Sequence, residues 1–338
     1  MMNPKRSDVT LRDVARHAGV SHQTVSRVIN ENDHVNPETR DRVMQAIAEL
    51  GYRPNAIARS MAQGRSYKLA CLSPNLTDFT FAAIIEGAER EARQHGYFLL
   101  PSSVQDVSTF EALAEELVSS HRVEGLMVIY PYMDERYCHL PENSPVVFVG
   151  AHPRSQQVNS VSLDSEYAAR LATQHLVDLG HKKIAMVTGP MNEDSVHERL
   201  SGFKTVMVQN GTPPDPDLIH EGDWAASSGV DAVQDFLDTG KKFTAIFAQN
   251  DRMAIGVLSA LRHKGIRVPE DVSVVGFDDM PLASYFDPPL TTIRQDFTAI
   301  GEQAVHVLMN KIEKPGTPLE NRVLSAELIV RGSTCPLR

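Results

Sequence analysis

The chain has 338 residues, 42% of them hydrophobic and 22% charged, which is enough for two or three domains with substantial cores. Its net charge of −10 argues against nucleic acid as a partner for the chain as a whole, but the charge is uneven. Residues 1–65 hold ten Lys and Arg against seven Asp and Glu, while the remaining 273 hold 23 against 36, so a modestly basic head on an acidic body directs any nucleic acid to one end.

In chain order, Thr10 is placed to cap a first helix, with Asp13 three residues on as in a capping box. Leu11, Val14, Ala15 and Ala18 follow at helical spacing, and Gly19 can end the helix because glycine takes positive φ without a Cβ clash. Ser21 can cap a second helix with Val25, Val28 and Ile29 on its apolar side. Two short helices joined by a glycine-containing turn predict a helix-turn-helix. His22, Gln23 and Thr24 open the second helix and Arg27 lies one turn on, at the end that reaches base edges in a major groove. Asn36-Pro37 starts a third helix, buried through Val43, Ala46, Ile47 and Leu50 and ended by Gly51. Residues 55–65 form a linker in which Asn55 can cap a segment, Ala56 to Gln63, too short to be a stable helix alone.

From Lys68 the pattern alternates between continuous apolar runs, such as Leu69–Ser73, Gly125–Tyr130 and Ile184–Val187, and amphipathic stretches ending in glycine. Such alternation predicts parallel sheets covered on both faces, and there are too many units for one ordinary sheet.

The run Thr10-Leu11-x-Asp13-Val14-Ala15, followed by Gly19-Val20-Ser21-x-Gln23-Thr24-Val25-Ser26-Arg27-Val28-x-Asn30, resembles the DNA-binding headpiece of the lac/galactose-repressor family of bacterial transcription regulators. The resemblance extends over essentially the whole chain. It implies an all-α helix-turn-helix headpiece (8–54), a hinge helix or linker (55–65) and an α/β periplasmic-binding-protein-like core (66–332) of two doubly wound parallel-sheet subdomains. One subdomain would hold about 66–163 and 292–322, the other about 164–291 and 323–332. It further implies operator contacts from Thr10, Ser21, His22, Gln23, Thr24, Ser26, Arg27, Asn30 and His34, and from Asn55, Ala58, Arg59 and Met61 in the hinge. Met61 stands where family members commonly place a leucine wedge.

For the cleft between the subdomains, the resemblance implies effector contacts from Asn75, Asp78, Phe79, Arg199, Trp224, Asn250, Asp278 and Phe297. An arginine fork grips two hydroxyls or a carboxylate at once, and an indole suits the C–H face of a sugar, although a lone tryptophan is more often core. Asp251 and Asp279 are expected to be N-caps only. Gly150, followed by Ala151 and His152, stands where sugar-binding members often carry an acidic residue. The effector class expected is a neutral saccharide, such as a β-galactoside-like sugar, rather than a nucleobase or sugar phosphate.

Cys71, Cys138 and Cys335 are widely spaced and odd in number, so no disulfide framework or metal site is expected, and a reducing cytoplasm is. Residues 1–6 lack the apolar core of a signal peptide, and no apolar run approaches a membrane span. There is no nucleophile elbow, phosphate-cradling glycine loop, HExxH or dinucleotide fingerprint, so neither an enzyme nor a cofactor is expected. The reading favoured is a homodimeric repressor released from a pseudo-palindromic operator by a small sugar. A corepressor-dependent repressor and a sugar-binding protein without DNA are the alternatives.

Overall fold

The computed structural model describes residues 9–29, 35–52, 64–129, 140, 144–150 and 158–337. The chain forms two compact units, the first ending at Ser66 and the second beginning at Tyr67.

In the first unit, α1 (Leu11–Ala18), α2 (His22–Ile29) and α3 (Pro37–Leu50) begin and end where local chemistry dictates. Thr10 and Asp13 form the capping box, with the Thr10 N–H donating to Asp13 Oδ2 at 2.9 Å. Gly19 and Gly51 end α1 and α3 at φ 64° and 61°, and Ser21 Oγ accepts from Thr24 N at 3.1 Å. Val14, Ala15, Ala18, Val25, Val28, Val43 and Ala46 meet in one buried cluster. That is a small core, so each fully buried side chain, at about 1.5–3 kcal/mol, is a sizeable share of the unit's stability.

The second unit contains two parallel sheets. The first is built from β1 (Lys68–Ser73), β2 (Phe98–Ser103), β3 (Gly125–Ile129), β4 (Val146–Val149), β5 (Asn159–Leu163) and β11 (Asn321–Leu324), in the order β11-β5-β4-β3-β1-β2. Alternate residues of β1 face opposite ways. Leu69 and Cys71 pack toward α4 (Phe79–Gln94) and α10 (Phe297–Glu313), while Ala70 and Leu72 pack toward Phe110 and Ala114 of α5 (Val107–Ser119). With both faces covered, each strand must be apolar throughout, which is why the runs read as continuous.

The second sheet follows the order β7-β6-β8-β9, from β6 (Ile184–Thr188), β7 (Ile219–Glu221), β8 (Ala245–Ala248) and β9 (Ser273–Val275). It is sandwiched by α6 (Ser165–Asp178) and α7 (Asp194–Gln209) on one face and α8 (Ala226–Asp238) and α9 (Asp251–His263) on the other. A separate antiparallel pair, β10 (Thr292–Arg294) with β12 (Glu327–Ile329), carries two of the passages between the sheets. The sequence reading changes subdomain at 323. Instead, Val323 and Leu324 pair with Ser162 and Leu163, so the passage falls after Leu324. A short strand carries no local mark of which sheet it will join, so its allegiance is decided by packing. The terminal segment then returns along β9, where Val274 N donates to Ser333 O at 2.8 Å.

Candidate functional site

On the first unit, His22, Gln23 and Arg27 are exposed on α2, while Val25 and Val28 on its other face are buried. Ser21 is exposed beside them, Thr24 and Ser26 are half-buried, and the Thr10 side chain is committed to the α1 cap. Thus α2 presents a polar face of the kind that reads a major groove, held by an apolar face locked to α1 and α3. Asn30, His34, Asn55, Ala58, Arg59 and Met61 lie outside the described residues, as does His152.

In the second unit, the carboxyl ends of β1, β3 and β4 face those of β6, β7, β8 and β9 across a cavity of about 490 Å³. Open α/β sheets bind ligands at this edge, because the loops there are free of the packing that buries the strands. All eight residues expected at the effector site line this cavity: Asn75, Asp78, Phe79, Arg199, Trp224, Asn250, Asp278 and Phe297.

Arg199 lies buried on α7, and its Nη1 donates to Gln249 O at 2.5 Å. Its guanidinium carbon sits 3.8 Å from the centroid of the Phe277 ring and 5.6 Å from that of Trp224, a cation–π pairing on two sides. Arg199 Nε has no hydrogen-bond partner among the described residues. Burial lowers the Arg199 pKa, and Asp278, Glu193 and Glu198 oppose that shift. A guanidinium stays charged even so, and a buried N–H without a partner favours a ligand oxygen.

Two carboxyl groups flank the guanidinium, and burial disfavours the charged form of each. Burial pushes the Asp278 carboxyl well above the usual carboxylate range, with Arg199 pulling the other way. Its Oδ1 accepts from Gln295 Nε2 at 2.8 Å. Burial also raises Glu193, to about 7, against the opposing pull of the Trp224 hydrogen bond and of Arg199. Glu193 Oε1 accepts from the Trp224 indole N–H at 3.1 Å. The indole lies flat on Gly189, where a Cβ would come within 2.2 Å of the ring. Trp224 and Asp278 both hold positive φ, at 68° and 116°. Such backbone costs on the order of 1–3 kcal/mol each and persists where the surroundings over-determine it.

Two expectations at the strand ends are reversed. Asn250, rather than Asp251, is the N-cap of α9: its Oδ1 accepts from Met253 N at 2.8 Å, and its Nδ2 donates to Trp224 O at 3.1 Å. Asp251 is buried and bridges elements, accepting from Thr292 Oγ1 at 2.6 Å and from Met280 N at 2.8 Å. Asp279 is no cap either. It accepts from Arg294 Nε and Arg331 Nη2, each at 2.6 Å, and so ties β10 and the terminal segment together. Either member of an Asn-Asp pair can cap a helix, and only the backbone path at the strand end selects one.

On the facing wall Asp78 caps α4 through Thr80, while Asn75 Oδ1 accepts from the backbone of Thr77 and Asp78. Phe79 and Phe297 meet edge to face with centroids 6.1 Å apart. Gly150 lines the cavity at φ 79°. Glu193, Arg252, Ser195, Asp223 and Gln295 also line it, and sequence reasoning did not single them out. A faint signal existed for Arg252, a cation in the first turn of a helix, the end where cations are least favoured.

Comparison with known proteins agrees with this geometry. Residues 10–55 match the family of bacterial regulatory proteins of the lacI type, and residues 173–334 match the periplasmic binding protein-like domain. The lactose operon repressor of Escherichia coli (strain K12) is 36% identical over 331 residues, 96% of this chain and 91% of that protein. The transcriptional repressor PurR of Vibrio atlanticus (strain LGP32) is 34% identical over 90% of this chain and 92% of its own length. Among solved structures, the lac repressor dimer bound to operator and the anti-inducer ONPF superposes with a TM-score of 0.90 at 35% identity, covering 97% of this chain and all of that one. A complex of the transcriptional regulator CelR with cellobiose gives 0.75 at 33% identity, over 96% of this chain and 99% of that one. The chain therefore belongs to the lacI family of bacterial regulatory proteins. Its homologues are DNA-binding transcriptional repressors.

Proposed function

We propose that this chain is a cytoplasmic, homodimeric transcriptional repressor, and not an enzyme. In this reading it binds a pseudo-palindromic operator through residues 8–54 and a hinge at 55–65, and a small neutral saccharide in the cleft of the 66–332 core releases it. The observation that carries the reading is the pairing of two surfaces in one chain. One is the polar face of α2, with His22, Gln23 and Arg27 exposed; the other is the cavity holding Arg199 against Trp224. Two symmetric half-sites call for two headpieces, hence a dimer. No helix among the described residues is long and apolar enough to cross a membrane.

The walls support this ligand class. Among the described residues that line the cavity, Asp78, Glu193, Asp223 and Asp278 stand against Arg199 and Arg252 as the strong cations, which disfavours a phosphate or another anion. A ring of hydroxyls suits these acceptors and the guanidinium, and the Trp224 face suits C–H groups. The cavity lies within the roughly 300–1,000 Å³ of small-molecule sites. Relatives solved with cellobiose and with ONPG support the same class.

The test is a salt-controlled binding assay on operator fragments selected from random DNA, repeated with a panel of mono- and disaccharides, nucleosides and sugar phosphates. The expected result is sequence-specific binding to a two-fold site, weakened by one neutral sugar. Tightening by that sugar would make it a corepressor, and failure to select any sequence would remove the repressor reading.

A further inference from the structure

We propose that Glu91, His95 and His306 form a binding site for a zinc-class divalent cation on the outer flank of the second unit, away from the cleft. Glu91 and His95 are four residues apart on α4, so they share one face of that helix. His306 is on α10, which runs alongside α4 in unusually close contact. Two glycines set that closeness. A Cβ on Gly87 would lie 2.2 Å from Thr298 O, and one on Gly301 would lie 2.0 Å from Ile84 O. The short spacing lets a histidine from each helix reach the same carboxylate.

Glu91 Oε1 stands 3.2 Å from His95 Nε2 and 3.3 Å from His306 Nε2, and one atom of each of the three side chains fits within 4.8 Å of the others. Zinc binds imidazole nitrogen and carboxylate oxygen at about 2.0–2.2 Å, which puts the corners of a tetrahedron about 3.4 Å apart. Both nitrogen–oxygen separations already match that edge. The imidazoles meet at 90° with centroids 5.9 Å apart, so the rings do not stack. Glu91 is buried, whereas the two histidines are partly exposed, with side-chain exposures of 33% and 43%. The charge is thus held inside while the approach stays open to a cation and a water.

The donor set selects the metal class. Two imidazoles and one carboxylate suit zinc or its neighbours; calcium and magnesium take oxygen throughout, and copper(I) prefers sulfur. Three protein ligands leave a fourth position to water. The bound cation would join α4 and α10 at a point remote from Phe79 and Phe297, the first residues of the same two helices, which meet in the cleft.

The experiment is calorimetric titration of zinc chloride into the full chain after removal of metal with EDTA. Uptake of one equivalent is expected, weakened at least about 100-fold in His95→Gln and in His306→Gln. His17→Gln, which removes an imidazole lying 2.7 Å from Glu49 in the first unit, should leave it intact. Cobalt(II) should give the intense visible bands of a four-coordinate site in the unaltered chain and not in the two variants. If a variant does not fold, the unaltered chain decides: zinc should protect His95 and His306 from diethylpyrocarbonate, read by mass spectrometry. Absence of uptake, uptake unchanged in both folded variants, or no protection would overturn the site.

Discussion

Asp78 and Arg252 meet across the cleft, Oδ2 to Nη1 at 2.8 Å, one from the loop that opens α4 and the other from the first turn of α9. Asp78 is held in place by its capping bonds to Thr80, so the arginine reaches for a fixed carboxylate. The pair spans the two walls that a ligand must also span. If effector binding draws the two walls together, the pair should assist it. The Arg252 and Asp78 side chains are 41% and 21% exposed, which limits the pair's worth to about 1 kcal/mol. Arg252→Met should raise the effector concentration for half response by up to about fivefold. Trp224 fluorescence against the effector measures this, and an unchanged midpoint would show that the pair does not act on closure.

Arg199→Ala removes the guanidinium that lies over Phe277 and beside Trp224. A hydrogen bond to a charged group is worth about 1.5–3 kcal/mol, so effector affinity should fall about 10- to 150-fold. Operator binding without effector should persist. Arg199→Lys should rescue little, because a lysine cannot present two N–H groups in a plane. Retained affinity in the lysine variant would mean that the site uses charge and not the fork.

What could be read early was whatever local chemistry decides. Thr10 with Asp13, Gly19 and Pro37 mark helix ends because their capping bonds and φ angles involve residues within one turn. The strands were legible because a doubly covered sheet demands apolar residues in succession, as in Ala245–Ala248. The eight cleft residues come from segments far apart in the chain, from the loop after β1 to the start of α10, and nothing local draws Asn75 toward Phe297; the family resemblance named them. Glu193 and Arg252 escaped because each matters through a partner distant in sequence, Trp224 and Asp78. The metal cluster escaped for the same reason, since a Glu-x-x-x-His spacing on one helix is common and only the crossing at Gly87 and Gly301 brings up His306.

Raising the pH should destabilise the second unit through Asp251 and Glu193. Burial holds each at about 7 in the folded chain, above its ordinary value near 4. The folded state then keeps protons that the unfolded state has released. Their favourable contribution is complete below the ordinary carboxylate value and is lost as the pH rises through about 7. The thermal midpoint should therefore drop between about pH 5 and about pH 8, and Asp251→Asn with Glu193→Gln should make the drop shallower, leaving the part due to Asp278, whose carboxyl burial also raises. An equally steep profile in that double variant would place the protons elsewhere.

Gly301→Ala should destabilise the same unit by about 1–3 kcal/mol, the usual cost of forcing extra volume into a packed interior. The new Cβ would lie 2.0 Å from Ile84 O and 2.7 Å from Ala88 N, both backbone atoms that cannot rotate away. Alanine's better helix propensity recovers only about 1 kcal/mol. Denaturant unfolding reads the difference. A variant as stable as the parent would mean that α4 and α10 can separate at little cost.

Gln23→Ala tests the polar face of α2. The side chain is exposed, while Val25 and Val28 anchor the same helix from its buried face, so truncation should leave the fold of the headpiece unchanged. A glutamine that pairs with an adenine edge contributes about 1–3 kcal/mol of discrimination. Affinity for the selected operator should fall accordingly, while affinity for random DNA and the slope of log affinity against log salt stay the same, because glutamine neutralises no phosphate. Arg27→Ala is the contrast. If Arg27 holds a phosphate, affinity falls on all sequences alike and the salt slope decreases by about 1, whereas a guanine contact would repeat the Gln23 pattern. A uniform loss from Gln23→Ala on every DNA would instead make that residue a backbone contact and leave base reading to its neighbours on α2.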